Sequence, residues 1–310
     1  MTLPPDPAAR TPQERTEPEE AIRFAVLSDT HLSPEGTPDG IWNNTTRRSA
    51  SAALLQAALA EITESGHEQV LVLGDISDDG TVAMIRAALG AIAAAGIRAW
   101  IVPGNHDVAL SPEALDAAAI GLTATCALAR KGPQRLAGSV AAVGIGLHSD
   151  SGGQTCQATS LPDVAALAGR LLLCVGHYPI LTQQARLRVA GLRYPGDLVN
   201  LDHARAAVER FDGPIVALHG HLHTAVTRRV GRILQIGLPA VVEWPHAWTD
   251  FTLDMASDNP TVHVEIRPIA GEWSRCERDT VLSGMAQTWV FDAGRWRAQA
   301  FGAKDHASLS

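Results

Sequence analysis

The chain has 310 residues, 46% of them hydrophobic, and 33 acidic against 25 basic side chains give a formal net charge of −8. That length supports a large buried core. The acidic balance disfavours a partner built on a phosphate backbone, so no nucleic acid polymer is expected.

Residues 1–21 are rich in Pro, Glu and Arg, lack an apolar stretch, and read as a disordered leader, not a signal peptide. Ile22 to Ser28 is an apolar run that reads as a strand. Thr46 to Ser65 has apolar residues at helical spacing (Leu54, Leu55, Ala58, Leu59, Ile62), with Gly66 to stop the helix. Gln69–Leu73 reads as a strand, Thr81–Ala95 as a helix ending at Gly96, and Ile97–Val102 as a strand closed by Pro103-Gly104. This alternation predicts βαβ units and a largely parallel sheet. Leu110–Arg130 is Ala-rich and predicts a helix; its Ala117–Ala129 stretch is too short and Thr-rich to span a bilayer, so no membrane association is expected.

Gly138–Leu147 then reads as a strand, Leu161–Ala168 as a helix with Pro162 in its first turn, Leu171–Val175 as a strand, Leu201–Phe211 as an amphipathic helix and Pro214–Leu218 as a buried strand. After His223 short β-rich runs follow: Arg232–Ile236, Ala240–Glu243, Thr249–Leu253, Val262–Pro268, Thr288–Phe291 and Arg295–Phe301, with Asp292-Ala293-Gly294 as a hairpin turn. They are expected to be antiparallel strands forming a second sheet packed on the first. One domain is expected over residues 22–302, β-rich from about residue 232, with a flexible tail at 303–310. Cys126, Cys156, Cys174 and Cys276 show no C-x-x-C spacing, and Cys174 reads as a core residue; a reduced, cytoplasmic setting follows.

Chemistry concentrates where strands end. Asp29-Thr30-His31, Gly74-Asp75, Gly104-Asn105-His106-Asp107, Gly176-His177 and Gly220-His221-Leu222-His223 each follow an apolar run. Strand ends converge along one sheet edge, which would gather carboxylate, imidazole and amide oxygen around one small volume. Those are ligands for a two-metal hydrolytic site.

In order, these five blocks resemble the signature of the calcineurin-like metallophosphoesterases over roughly residues 22–240. The resemblance implies an α/β fold, a four-layer α/β/β/α sandwich of two mixed sheets flanked by helices. It implies a first metal held by Asp29, His31, Asp75 and His223, and a second held by Asp75, Asn105, His177 and His221, with Asp75 bridging. The cofactors would be two divalent or trivalent ions, Fe, Mn or Zn. Water activated by the metal pair would attack phosphorus, and His106 would protonate the leaving oxygen or stabilise its charge.

Asp29-Thr30-His31-Leu32, Asp39-Gly40 and the run into Arg47–Leu55 are more narrowly similar to class III cyclic nucleotide phosphodiesterases and bacterial glycerophosphodiesterases. A small-molecule phosphodiester is the implied substrate, a 3′,5′-cyclic nucleotide or a glycerophosphodiester. One departure is Gly176-His177-Tyr178-Pro179, where Tyr178 stands in place of a second His. The alternative is a phosphomonoesterase or protein phosphatase; the Gly74–Gly80 block lacks the Arg of the protein phosphatases. A non-catalytic metal-binding scaffold is the remote alternative, although no ligand block is lost. The β-rich C-terminal part offers a surface for a homodimer.

Other residues read more plainly. His219 is a strand-end neighbour with a supporting role open to it. Asp78 and Asp79 read as caps of the next helix. Arg47 and Arg48 either steer an anionic substrate or start a solvated helix, and Trp244 and Trp248 read as core ahead of base-stacking. His148 and His203 read as loop and structural histidines, His67, His246, His263 and His306 as surface residues, and Gly152-Gly153 as loop punctuation.

Overall fold

The computed structural model describes residues 21–129, 134–137, 139–150, 155–159, 161, 163–273 and 275–299. The expected leader, tail, Arg130, Pro162, His306 and the Gly152-Gly153 pair lie outside the described residues. The elements in chain order are β1 (Ile22–Leu27), β2 (Gly40–Ile41), β3 (Thr45–Thr46), α1 (Ser51–Glu64), β4 (Gln69–Leu73), α2 (Val82–Ala94), β5 (Arg98–Val102), α3 (Asn105–Val108), α4 (Ala114–Ala119) and β6 (Cys126–Leu128). Next come β7 (Gln134–Ala137), β8 (Val140–Gly144), β9 (Gly146–Ser149), β10 (Cys156–Thr159), β11 (Leu171–Val175), α5 (Gln184–Val189), α6 (Leu201–Glu209) and β12 (Ile215–His219). The last are β13 (Val226–Val230), β14 (Ile233–Gly237), β15 (Ala247–Asp254), β16 (Thr261–Pro268), β17 (Ala286–Asp292) and β18 (Arg295–Gln299).

Two mixed sheets carry the fold. One has eight strands in the order β18-β17-β16-β15-β1-β4-β5-β6, the other six in the order β13-β14-β12-β11-β8-β7. β1, β4, β5 and β6 are parallel, as are β8, β11, β12 and β14. The period-two alternation of each strand assigns its side chains to layers. In β1, Ala25 and Leu27 join Leu54 and Ile62 of α1 and Ile85 and Leu89 of α2 in an outer core. Phe24 and Val26 face the other way and meet Leu171, Leu173, Val216 and Leu218 in the core between the sheets. On the far side, Leu172, Cys174, Ile215 and Ala217 pack with Ala204 and Val208 of α6. Helix, sheet, sheet and helix therefore form the four-layer sandwich implied by the blocks.

Several local expectations are corrected. The strands after β14 do not form the second sheet. β15 pairs antiparallel with β1, and β16–β18 extend that same first sheet, while the second sheet is built from the middle of the chain. The free edge of β1 offered unpaired backbone groups that β15 satisfies. The helix expected over Leu110–Arg130 is only α4. Gly121 at φ +83° breaks it, and Cys126 and Leu128 turn inward with Ala127 out, so the segment becomes β6 beside β5. Leu161–Ala168 yields one 3-10 turn, Val164–Ala166, in which only Val164 is buried, too little to hold a helix.

Ala240–Glu243 is not a strand. It braces the first block instead: Val241 N donates to Ser28 O (3.0 Å) and Arg47 N to Val242 O (2.7 Å). His67 and His246 are buried, not surface residues, His67 against Trp248 and His246 bonded to Val241 O. The Asp292-Ala293-Gly294 turn joins β17 to β18 with positive φ at Ala293 and Gly294 (49° and 76°), the twist a tight hairpin favours. Among the described residues no helix is long and apolar enough to cross a membrane.

Candidate metal centre

The loops leaving β1, β4, β5, β11 and β12 meet at one edge, where the two sheets face each other. Backbone hydrogen bonds stitch them together. Asp29 N donates to Gly74 O (3.2 Å), His31 N to Asp75 O (2.9 Å) and Gly220 N to His177 O (3.1 Å). Two glycines permit the approach. A Cβ at Gly74 would lie 2.5 Å from Gly104 N, and one at Gly220 would lie 2.5 Å from Asp29 Oδ2.

All seven residues named as ligands from the sequence are brought together, and His106 with them. Asp75 Oδ2 lies 3.6 Å from His31 Nε2 and 3.2 Å from His177 Nε2. His177 Nε2 is 3.1 Å from Asn105 Oδ1, and His223 Nε2 is 3.4 Å from Asp29 Oδ1. The His221 ring stands 5.1 Å from that of His177 and 3.8 Å from that of Tyr178, so Tyr178 stacks on a site histidine. Metal-ligating atoms of Asp29, His31 and His223, and those of Asp29, Asp75 and His177, each lie within 4.8 Å of one another.

The chemistry of this donor set fits cations. His31 Nε2 and His221 Nε2 are buried without a hydrogen-bond partner, a cost that a metal bond removes. Other ring atoms are held from behind: His177 Nδ1 by Leu73 O (2.7 Å) and His223 Nδ1 by Glu243 Oε2 (2.6 Å). Such partners fix the tautomer that leaves Nε2 free for a metal. Burial opposes every charge here, yet the charges compensate pairwise. His223 overrides burial and sets Asp29 at about 2, while Asp29 and Glu243 raise His223 to about 10. Asp75 likewise overrides burial to raise His177 to about 9. His221, with burial and the neighbouring His177 both against it, falls well below the usual imidazole range.

Sequence reasoning missed several supporting residues. Glu243 is wholly buried, and its second oxygen accepts from Asn44 N. Asp107 accepts from Ile76 N, Ser77 N and Gly104 N, tying the Asp75 loop to the Asn105 loop. Burial and the nearby charge of Asp75 raise its pKa to about 6. Asp78 is not a helix cap. It lies 3.3 Å from His31 Nδ1 and 3.2 Å from Arg48, whereas Asp79 bonds Thr81, whose hydroxyl caps α2. The signal for Asp78 and Asp107 was their place inside the blocks; Glu243 had none.

A cleft of about 550 Å³ opens over the centre, lined by site histidines, Asp75, Asp78, Asn105 and Arg48, and also by Trp42, Tyr178 and Pro195. Arg47 turns away to Trp273 O and Asp39. His219 ends β12, buried against the position of Gly237 and pushed by burial to about 4; it does not line the cleft. His148 is exposed on β9, His203 exposed on α6, and His263 sits beside Thr288, all outside the cleft. Trp248 is core, its indole N–H on Glu61. All four cysteines are free, and burial pushes Cys174 up to about 12.

A dimetal phosphatase from Danio rerio has a similar fold, with TM-score 0.54 and 16% identity over 81% of this chain and 99% of that one. A purple acid phosphatase from yellow lupin aligns at TM-score 0.49 with 13% identity over 83% of this chain and 53% of that one. No curated protein matches the sequence. The sequence profile described as calcineurin-like phosphoesterase matches residues 22–225, which span all five blocks. The chain belongs to the calcineurin-like phosphoesterase family, whose members depend on two metals.

Proposed function

We propose that this chain is a dinuclear metal-dependent phosphodiesterase acting on a small phosphodiester. Asp29, His31, Asp75 and His223 would hold one cation; Asp75, Asn105, His177 and His221 would hold the other. The observation that carries this reading is Asp75 Oδ2, 3.6 Å from an imidazole of one set and 3.2 Å from an imidazole of the other. A pair of Fe, Mn or Zn ions, when bound, supplies Lewis acidity toward phosphate oxygens and lowers the pKa of water.

The protein's own part is positioning and proton supply. Asn105 offers a neutral oxygen, so its set carries less negative charge. His106 Nδ1 is 2.7 Å from Asp78 O, which commits that atom and leaves Nε2 for the cleft. Burial disfavours an imidazolium there, but the charge of Asp75, the bond to Asp78 O and the charges of Asp78 and Asp107 together outweigh it and raise the pKa of His106. His106 Nε2 is thus the proton donor to the leaving oxygen.

Charge supports a diester. Apart from imidazoles, Arg48 is the one cation lining the cleft among the described residues, and Asp78 already pairs with it. Beyond the two metals, a diester monoanion needs no further cation, whereas the second charge of a monoester dianion would find no unpaired Arg or Lys among the described lining residues. Turnover of bis(p-nitrophenyl) phosphate and of p-nitrophenyl phosphate on Mn-loaded protein tests this. The diester is expected to be favoured by about tenfold or more in kcat/KM. Equal turnover, or faster turnover of the monoester, would overturn the reading.

A further inference from the structure

The imidazoles of the centre are not all held in the same way. His177 Nδ1 is fixed by Leu73 O (2.7 Å), His223 Nδ1 by Glu243 Oε2 (2.6 Å) and His106 Nδ1 by Asp78 O (2.7 Å). His31 Nδ1 has the Asp78 carboxylate at 3.3 Å. The His221 ring makes no hydrogen bond among the described residues, and its Nε2 is buried. An imidazole with no polar partner behind it can turn about its Cβ–Cγ bond, and that turn carries Nε2 away from a metal.

Tyr178 stands against His221 in place of such a partner. The two ring centroids are 3.8 Å apart with 31° between the planes, so the phenol covers one face of the imidazole. Tyr178 also meets the ring of His177 edge-on, at 5.6 Å and 77°. It therefore touches both imidazoles of the second proposed set. The phenol is itself immobilised. Tyr178 is 6% exposed and shares a buried cluster with Cys156, Ile180 and Leu198. Its hydroxyl lies beside the Cys156 thiol. The backbone just beyond is anchored too: Ile180 N and Leu181 N donate to the buried Gln235 Oε1 at 2.8 and 2.6 Å.

We propose that Tyr178 is a positioning residue for the second cation, and that its ring face, not its hydroxyl, sets the orientation of His221. A flat face at stacking distance blocks rotation of the imidazole toward that side, which a flexible aliphatic chain of similar bulk does not. The hydroxyl, engaged at Cys156, has no part in this. Because Tyr178 directly follows His177, one anchored segment supplies one imidazole of the second set and the wall that orients the other.

The inference rests on the two-cation reading of the centre, and its test reads metal binding apart from turnover. Calorimetric titration with Mn, with electron paramagnetic resonance to detect the exchange-coupled Mn pair, is applied to the parent, Tyr178→Phe and Tyr178→Leu. Tyr178→Phe keeps the face and loses the hydroxyl, and is expected to bind both ions within about twofold of the parent. Tyr178→Leu keeps apolar bulk and loses the face. It is expected to bind the second ion about tenfold more weakly with the first unchanged. Its exchange-coupled signal should then need correspondingly more Mn to appear. Circular dichroism verifies that each variant is folded. An unchanged second affinity in Tyr178→Leu, an equal loss at both ions, or a loss in Tyr178→Phe as large as in Tyr178→Leu would overturn the proposal. A parent that binds a single Mn would overturn the two-cation reading and the proposal together; the variant outcomes leave that reading intact, so the two failures are distinguishable.

Discussion

Five of the seven proposed ligands, Asp29, His31, Asp75, His221 and His223, hold positive φ angles between 40° and 66°. L-residues avoid that region, at a cost of order 1–3 kcal/mol each, so the surrounding hydrogen bonds must enforce it. Asn105→Ala or His177→Ala is expected to cut diester turnover by about a hundredfold or more with the melting profile kept near the parent's; near-parental turnover in either would remove the second cation from the account. Glu243 acts one step back. Glu243→Gln keeps the shape but weakens the bond that orients His223, and Mn affinity is expected to fall about 10- to 100-fold in a metal titration. An unchanged affinity would reduce Glu243 to a support for Asn44.

At the scale of elements, stability depends on how strand ends and sheet halves are joined. Gly74 has φ +83° and touches Gly104, so Gly74→Ala combines an unfavourable backbone with a steric clash. It is expected to cost at least about 1–3 kcal/mol in urea unfolding; an unaffected midpoint would mean that the two loops separate freely. The seam between β1 and β15 carries a different bond. Arg23 Nε donates to Asp250 Oδ1 at 3.1 Å, with His67 Nε2 3.5 Å from the same oxygen. Burial would raise the Asp250 pKa, but Arg23 outweighs it and the net shift is downward. A carboxylate depressed in the folded state contributes stability above its unfolded pKa and loses it as pH falls through the folded value. Asp250→Asn should therefore lower stability at neutral pH, by about 1 kcal/mol because Arg23 is half exposed. That difference should close in acid; a gap that stays constant from neutral pH to pH 3 would assign the loss to packing.

Across the whole molecule, what could be read in sequence was what is local. β4 and β5 follow from compact apolar runs, α1 and α2 from helical spacing, and the five blocks from their place after strands. Pairing partners are not local, so the assignment of β15–β18 to the first sheet was not legible, nor was the addition of β6 beside β5. Glu243 was missed for the same reason. Its segment reads as a strand, and it acquires its role only when residues about 200 positions apart meet, as Asn44 and Glu243 do. The folded centre concentrates buried Asp29 and Asp75 among histidines, so a bound cation should stabilise the entire fold. Saturating Mn at about a hundred times its Kd should add about 3 kcal/mol and raise Tm, and EDTA should reverse this; an indifferent Tm would mean that no metal binds the native state. The most direct measurement is anomalous diffraction from crystals grown with Mn. The account predicts two peaks flanking the Asp75 carboxylate, one against His31 and His223 and one against His177 and His221; a single peak, or peaks away from Asp75, would contradict it.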